Sequence, residues 1–266
     1  PFRSRLIANY TRSMKLASLA PGIYNWVVKS PTLASLMKRM SGFATERSLP
    51  PLHDTTLAAW HRKHANPATL DYPQGRVYLF CDEFTNYSDA PVGIKAIELL
   101  NRLGYEVTIP QHVESGRAHL SKGLVREAQK FAIRNIELLK DVVTEETPLV
   151  GIEPSAILSF RDEFPDLMPT ELKSAAQALA KNALLIEEFI ARESDAGRIT
   201  SQSFTDRKQA IKLHGHCHQK ALSSLTPAVK MLELPAEYEV QMIPSGCCGM
   251  AGSFGYEKEH YAVSQQ

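Results

Sequence analysis

The chain has 266 residues, 44% of them hydrophobic, which is enough to bury a sizeable core as one large domain or two subdomains. Thirty Lys and Arg against 29 Asp and Glu leave a formal charge of +1, so no global field favours nucleic acid or an anionic membrane. Four cysteines are too few for a disulfide scaffold, and with no apolar run of about 18 residues no transmembrane helix is expected.

Positions 1–45 carry apolar residues at helical spacing in short pieces: Leu6, Ile7 and Tyr10, then Ile23, Trp26 and Val27, then Leu33, Leu36 and Met37. Pro21 and Pro31 separate them, which predicts two or three packing helices, with a membrane-surface or partner-binding helix as the alternative. The opening is basic and amphipathic but lacks the apolar segment and cleavage site of a signal peptide. It begins without Met, as a fragment or processed chain would. Residues 46–75, with Pro50, Pro51, Pro67 and Pro73, read as a surface linker around a short helix at 56–64.

A strand–helix alternation begins at Arg76. Residues 77–80 form a buried-type strand ending at Cys81, 91–103 an amphipathic helix closed by Gly104, and 105–110 a second strand. The stretch 116–141 holds a helix with Leu124, Ala128, Phe131, Ala132 and Leu138 on one side, and 148–154 a third strand. Residues 170–191 read as one helix, and the polar stretch 194–208 as a surface loop and subdomain boundary. The alternation then resumes with a strand at 211–215 leading to Cys217, a short helix at 225–232, a strand at 238–244 and a glycine–cysteine turn.

The two halves look like copies. Cys81 is followed by a helix, Tyr105-Glu106-Val107, Ile109-Pro110 and Ser115-Gly116; Cys217 is followed by a helix, Tyr238-Glu239-Val240, Ile243-Pro244 and Cys247-Cys248-Gly249. The predicted fold class is α/β: duplicated parallel-sheet units with helices on both faces and a pseudo-twofold relation, preceded by a short helical segment. The expected divisions are 1–75, 76–200 and 201–266. Ligands of such sheets sit beyond the carboxyl ends of the strands, where Cys217 and Cys247-Cys248 fall.

Thiolates select soft metals or iron–sulfur clusters, and the glycines around Cys247 and Cys248 would let backbone N–H groups face a bound anion. A helix starting near Gly252 would add its positive end. Three cysteines leave a fourth ligand to be supplied by His216, His218, a carboxylate or a group from elsewhere, and zinc held by three cysteines and one histidine competes with a cluster. In an extended strand His214, His216 and His218 share one face while Cys217 points to the other, so the histidines are not automatic co-ligands. Cys81 reads as an inert buried thiol. Arg117, His119 and Lys122 read as a solvated charged face or an anion patch, and Glu153, Arg161, Asp162 and Glu163 as charges that bracket the sheet end by salt bridges.

GHCHQKAL at 215–222, followed by SGCCGMAGSFGYEKEHY at 245–261, closely resembles the second half of the cysteine-rich, or CCG, domain family. That family occurs in iron–sulfur subunits or tails of FAD-linked 2-hydroxyacid dehydrogenases, anaerobic glycerol-3-phosphate dehydrogenase and heterodisulfide reductase. The resemblance implies that Cys217, Cys247 and Cys248 are cluster ligands, with Gly249 and His218 in the cofactor-binding turn. It further implies an iron–sulfur electron-transfer module with no catalytic residue of its own, FAD on a separate domain or subunit, a ferredoxin-like module as neighbour, and a quinone or redox protein as acceptor. The zinc-bound or metal-free structural domain remains the alternative. The expected location is cytoplasmic or peripheral at the inner face of the membrane. The family's distal cysteine is not met before Gln266, so the second site is expected to be incomplete; Glu114-Ser115-Gly116 and Glu153-Pro154-Ser155-Ala156 make the first one look degenerate.

Overall fold

The computed structural model describes residues 2–266. Strands β1 (Gly75–Phe80), β2 (Tyr105–Thr108), β3 (Leu149–Gly151) and β4 (Ala183–Leu185) form a parallel sheet in the order β2-β1-β3-β4. Strands β5 (Gln209–Leu213) and β6 (Tyr238–Met242) form a separate parallel pair. The Tyr of each Tyr-Glu-Val word pairs with the first residue of its unit's leading strand, Tyr105 with Gly75 and Tyr238 with Gln209. The repeated words therefore occupy equivalent register positions.

Period-two alternation in the strands divides the core between two faces. Val77, Leu79, Cys81, Tyr105, Val107 and Val150 face one layer with Ile97 and Leu100 of the helix Ala90–Arg102 and Phe189 and Ile190 of the helix Ile186–Asp195. Phe80, Leu149, Ala183 and Leu185 face the other, against Ile136 and Leu139 of the helix Val125–Leu139 and Leu179 of the helix Thr170–Lys181. Phe160 joins this second layer, fully buried and edge-on to Phe80 at 5.0 Å between ring centroids. Phe160→Ala is expected to cost about 3–5 kcal/mol in denaturant unfolding, because an aromatic-sized cavity at that depth cannot collapse fully.

The sequence-based expectations change in three places. The stretch 170–191 is not one helix: Asn182 ends the first, Ala183–Leu185 runs as β4, and a second helix follows. The helix expected within 116–141 is Val125–Leu139, but a separate short helix, Arg117–Leu120, precedes it, with Gly123 at φ +71° in the connection. The N-terminal region holds four helices, Phe2–Ala8, Tyr10–Ala17, Pro21–Lys29 and Pro31–Ser41.

These helices are fastened to both parts of the molecule. Arg3 pairs with Glu257 at 2.7 Å and Arg47 donates to the Gly255 carbonyl at 2.9 Å and the Ser264 hydroxyl at 2.6 Å. Thr11 donates to Glu114 at 2.8 Å beside the main sheet. Burial raises the Glu114 pKa to about 7 against the opposing effect of the Thr11 bond, and Glu83 adds to the rise. A carboxyl raised on folding stabilises the fold while protonated, and that contribution is lost as pH rises from its usual range through about 7. Glu114→Gln keeps an acceptor for Thr11 without the charge. It should therefore raise the thermal midpoint at pH 8 more than at pH 5, by a margin on the order of 2–4 °C.

Candidate functional site

The candidate site lies where β5 and β6 end. Leu213 closes β5, and Gly215 then passes Leu225 so closely that a Cβ would lie 2.3 Å from a Leu225 methyl. His216 caps the next helix, its Nδ1 accepting from the His218 backbone N–H at 3.3 Å, and Cys217 opens that helix, Cys217–Leu222. The strand alternation expected for His214, His216 and His218 is thus overturned, since the chain turns helical at Cys217. His214 bonds the Ser245 hydroxyl at 2.7 Å, whereas the His216 imidazole lies 4.0 Å from Glu153.

After β6 the chain carries Cys247 and Cys248 back towards this helix. Lys220, one turn beyond Cys217, donates to the carbonyls of Ser245 at 2.9 Å and Gly246 at 2.8 Å and so ties the cysteine loop to the helix. The three thiols are free and exposed. Burial and the facing Cys247 thiol raise the pKa of Cys217. The Gly249 N–H, which donates to Cys247 Sγ at 3.4 Å, lowers that of Cys247, with help from the Cys217 and Cys248 thiols. The loop therefore favours a thiolate at Cys247.

The glycines have separate explanations. Gly249 has φ +78°, and a Cβ there would stand 2.3 Å from the Ser264 carbonyl oxygen, so the close approach is to the chain itself. Gly246 and Gly252 are open, the latter at φ +64°. Ala251 adopts φ +39°, rare for a residue with a side chain, so the loop holds three left-handed residues within four positions. Such turns direct successive N–H groups to one side and favour an anion. The helix expected at Gly252 is replaced by the short 3-10 turns Phe254–Tyr256 and Lys258–His260 and the helix Tyr261–Ser264, too short to supply a helix dipole of consequence.

The equivalent place in the first unit is filled by protein. Cys81 is buried, donates to Asn86 at 3.5 Å, and is held protonated by burial and by Asp82. Ser115 donates to Glu83 through its N–H at 2.9 Å and its hydroxyl at 2.7 Å, and Glu153 accepts from Ser155 and from the Ala156 N–H. Asp82 is fully buried, and burial above all, with Glu153 and Glu83, pushes its carboxyl well above the usual range.

The charges read as a solvated face or an anion patch are instead internal partners. Arg117 pairs with Glu163 and Lys122 with Glu257, while Arg161, expected to bracket the sheet end by a salt bridge, forms one with Glu188. His119 is buried. From the cysteine-bearing segment Gln219 donates to Glu187 at 2.9 Å and Ser223 to Glu188 at 2.5 Å, and Lys230 pairs with Asp195. Sequence reasoning missed Lys220 as a loop anchor, although its place three residues after Cys217, on the same helical side, was available.

Three exposed thiols, one of them facing a backbone N–H, suit a thiolate-bound group, whether an iron–sulfur cluster or zinc. Tetrahedral zinc at 2.3 Å from each sulfur would hold thiolates roughly 3.8 Å apart. Among the described residues the cysteines do not form a trio with all ligand atoms within 4.8 Å; the group that does is Asp162, Glu163 and His218.

No family model matches the chain, and no solved structure matches it. Relatives were found among curated proteins. The chain is 26% identical over 272 residues to a D-2-hydroxyglutarate dehydrogenase of Pantoea ananatis, a match covering 98% of the chain and 25% of that protein. It is 26% identical over 221 residues to one of the subunits of the anaerobic glycerol-3-phosphate dehydrogenase of Escherichia coli, covering 82% and 54% respectively. With lactate utilization protein A of Bacillus licheniformis the identity is 30% over 198 residues, covering 72% of the chain and 78% of the relative. The chain thus spans about a quarter of the D-2-hydroxyglutarate dehydrogenase and about half of the glycerol-3-phosphate dehydrogenase polypeptide.

An α/β chain with this ancestry is an oxidoreductase-related module, akin to parts of dehydrogenases for D-2-hydroxyglutarate and glycerol 3-phosphate. Within that class, the chain belongs to the family of lactate utilization protein A.

Proposed function

We propose that this chain is the iron–sulfur electron-transfer module of an FAD-linked oxidoreductase acting on a small D-2-hydroxy acid, and that its cysteine loop is of the CCG type. The observation that carries the reading is the meeting of Cys217 with Cys247 and Cys248 at the ends of two parallel strands, in a loop where Gly249, Ala251 and Gly252 have positive φ and the Gly249 N–H donates to Cys247 Sγ. The relatives' names support a dehydrogenase context.

In this reading Cys217, Cys247 and Cys248 hold the cluster, and a fourth ligand comes from another group. When bound, the cluster would supply one-electron transfer. The protein's own part is to fix the sulfurs, with Lys220 holding the loop carbonyls and the Gly249 N–H stabilising charge on Cys247. His218 and Gly249 border the cofactor; burial lowers the pKa of His218, which favours its neutral imidazole. The first unit, with Cys81 protonated and its acidic residues occupied by Ser115 and Ser155, serves as scaffold.

The partners in this proposal are an FAD-binding domain or subunit, a ferredoxin-like module, and a quinone or redox protein that receives the electrons. Among the described residues no helix is long and apolar enough to cross a membrane. A cytoplasmic site of action, with peripheral contact at the inner face of a membrane, belongs to the same proposal. The test is iron, zinc and acid-labile sulfide per chain after anaerobic purification. Iron with near-equimolar sulfide supports the cluster; zinc without sulfide, or neither after reconstitution, returns the domain to a structural role.

A further inference from the structure

We propose that Asp162, Glu163 and His218 form a divalent-cation site of the zinc class, adjoining the cysteine site at His218 but using none of its thiols, which bridges the two sheet-bearing parts of the molecule. One ligand atom from each lies within 4.8 Å of the other two. Asp162 and Glu163 follow β3 in the first part, and His218 follows β5 in the second.

Three features point to a ligand rather than to chance proximity. The Glu163 Oε2 and His218 Nε2 atoms are both buried without a hydrogen-bond partner. Native proteins rarely leave two such atoms unsatisfied side by side, and a shared cation answers both. Asp162 stands at the N-cap of the helix Glu163–Leu167, yet its carboxylate makes no capping bond, so it forgoes the ordinary use of an aspartate in that position. It is also exposed, which gives an ion a path in from solvent.

The surrounding charges are compatible with a cation. Arg117 engages Glu163 through Oε1 and leaves Oε2 to face the site, as an outer partner that orients a metal-ligating carboxylate does. Two carboxylates outweigh the single guanidinium, and Glu153 lies beyond, near His216. One imidazole nitrogen with two carboxylate oxygens selects zinc and its borderline neighbours rather than calcium or magnesium, which prefer all-oxygen shells. Ligand atoms at 2.0–2.2 Å from zinc would be roughly 3.3–3.6 Å apart, so a modest contraction of the trio completes the fit and leaves a coordination position for water.

The proposal does not rest on the cysteines holding a cluster, and its test removes them. Protein with Cys217→Ser, Cys247→Ser and Cys248→Ser is freed of metal by chelation and titrated with Zn2+, with bound zinc and the thermal midpoint both followed. The expected result is one zinc per chain and a raised midpoint, with Co2+ in place of zinc giving ligand-field bands without thiolate charge transfer. Adding Asp162→Asn or His218→Gln should weaken binding at least tenfold and abolish the rise in midpoint. Asp162→Asn removes neither a cap nor buried volume, so its fold should persist and its result can be read. Absence of stoichiometric zinc in the triple-serine protein, or binding unchanged by both substitutions, would overturn the site.

Discussion

Cys247→Ser together with Cys248→Ser is expected to strip iron and sulfide from anaerobically purified protein while leaving the α/β core folded. The two thiols are exposed and bury little, so their loss has no cavity to create. A serine hydroxyl stays protonated where Cys247, facing the Gly249 N–H and the other thiols, ionises readily. Bound iron should fall on the order of tenfold or more, a loss at least as large as that seen when only an outer partner of a ligand is removed. Cys81→Ser provides the contrast: Cys81 is buried and protonated, so this change should lower stability and leave the iron content per folded chain intact. Equal iron and sulfide in the wild type and the double variant would remove the cysteine loop from the electron path.

The second large effect is expected at Gly249. Its φ of +78° costs a residue with a side chain about 1–2 kcal/mol, and the Cβ of alanine would meet the Ser264 backbone oxygen at 2.3 Å, a contact that only movement of the Tyr261–Ser264 helix or of the cysteine loop can relieve. With overpacking of about 1–3 kcal/mol added, Gly249→Ala should lose roughly 2–5 kcal/mol locally and a large share of bound iron. Two neighbours separate the causes. Gly252 shares the positive φ but would place its Cβ in open space, so Gly252→Ala should show the strain alone. Gly246 has neither constraint, and Gly246→Ala should be close to neutral. Iron content and urea unfolding across the three alanine variants check the ordering; equal losses at all three would refute the clash.

The elements recovered from the sequence are those whose signal is local. β1 could be read because five apolar residues, 77–81, precede a turn, and β2 because Tyr105, Val107 and Ile109 alternate with polar residues after Gly104; the Tyr-Glu-Val words marked equivalent strands before any pairing was known. β4 could not be read: Leu184 and Leu185 continue the helical spacing of Leu172, Ala176 and Leu179, and three residues are too few to impose a period of two. Its strand state comes from pairing with β3, a contact between segments more than thirty positions apart. The same distance hid the partners of Arg117 and Lys122, which look solvated when their helix is considered alone but meet Glu163 and Glu257 in the fold. At the cysteines, residue type indicated the chemistry, while the side-chain directions of His216 and His218 depended on where β5 stops, and that is decided at Gly215 by its contact with Leu225.

β5 and β6 also set how the cysteine-bearing segment responds to its surroundings. Their residues are mostly exposed or half-buried, unlike those of β1, β3 and β4, and a lone strand pair is marginal. What holds the pair is the packing of the helix Thr226–Leu232 on the helix Ile186–Asp195 and the bonds to Glu187 and Glu188. Such a thinly buried pair opens more readily than the main sheet, and anything that joins Cys217 to Cys247 closes it. On the proposed cluster, loading and local ordering would be a single equilibrium: a cell short of metal would hold this chain with a finished scaffold and a frayed edge, open to proteases at the cysteines themselves.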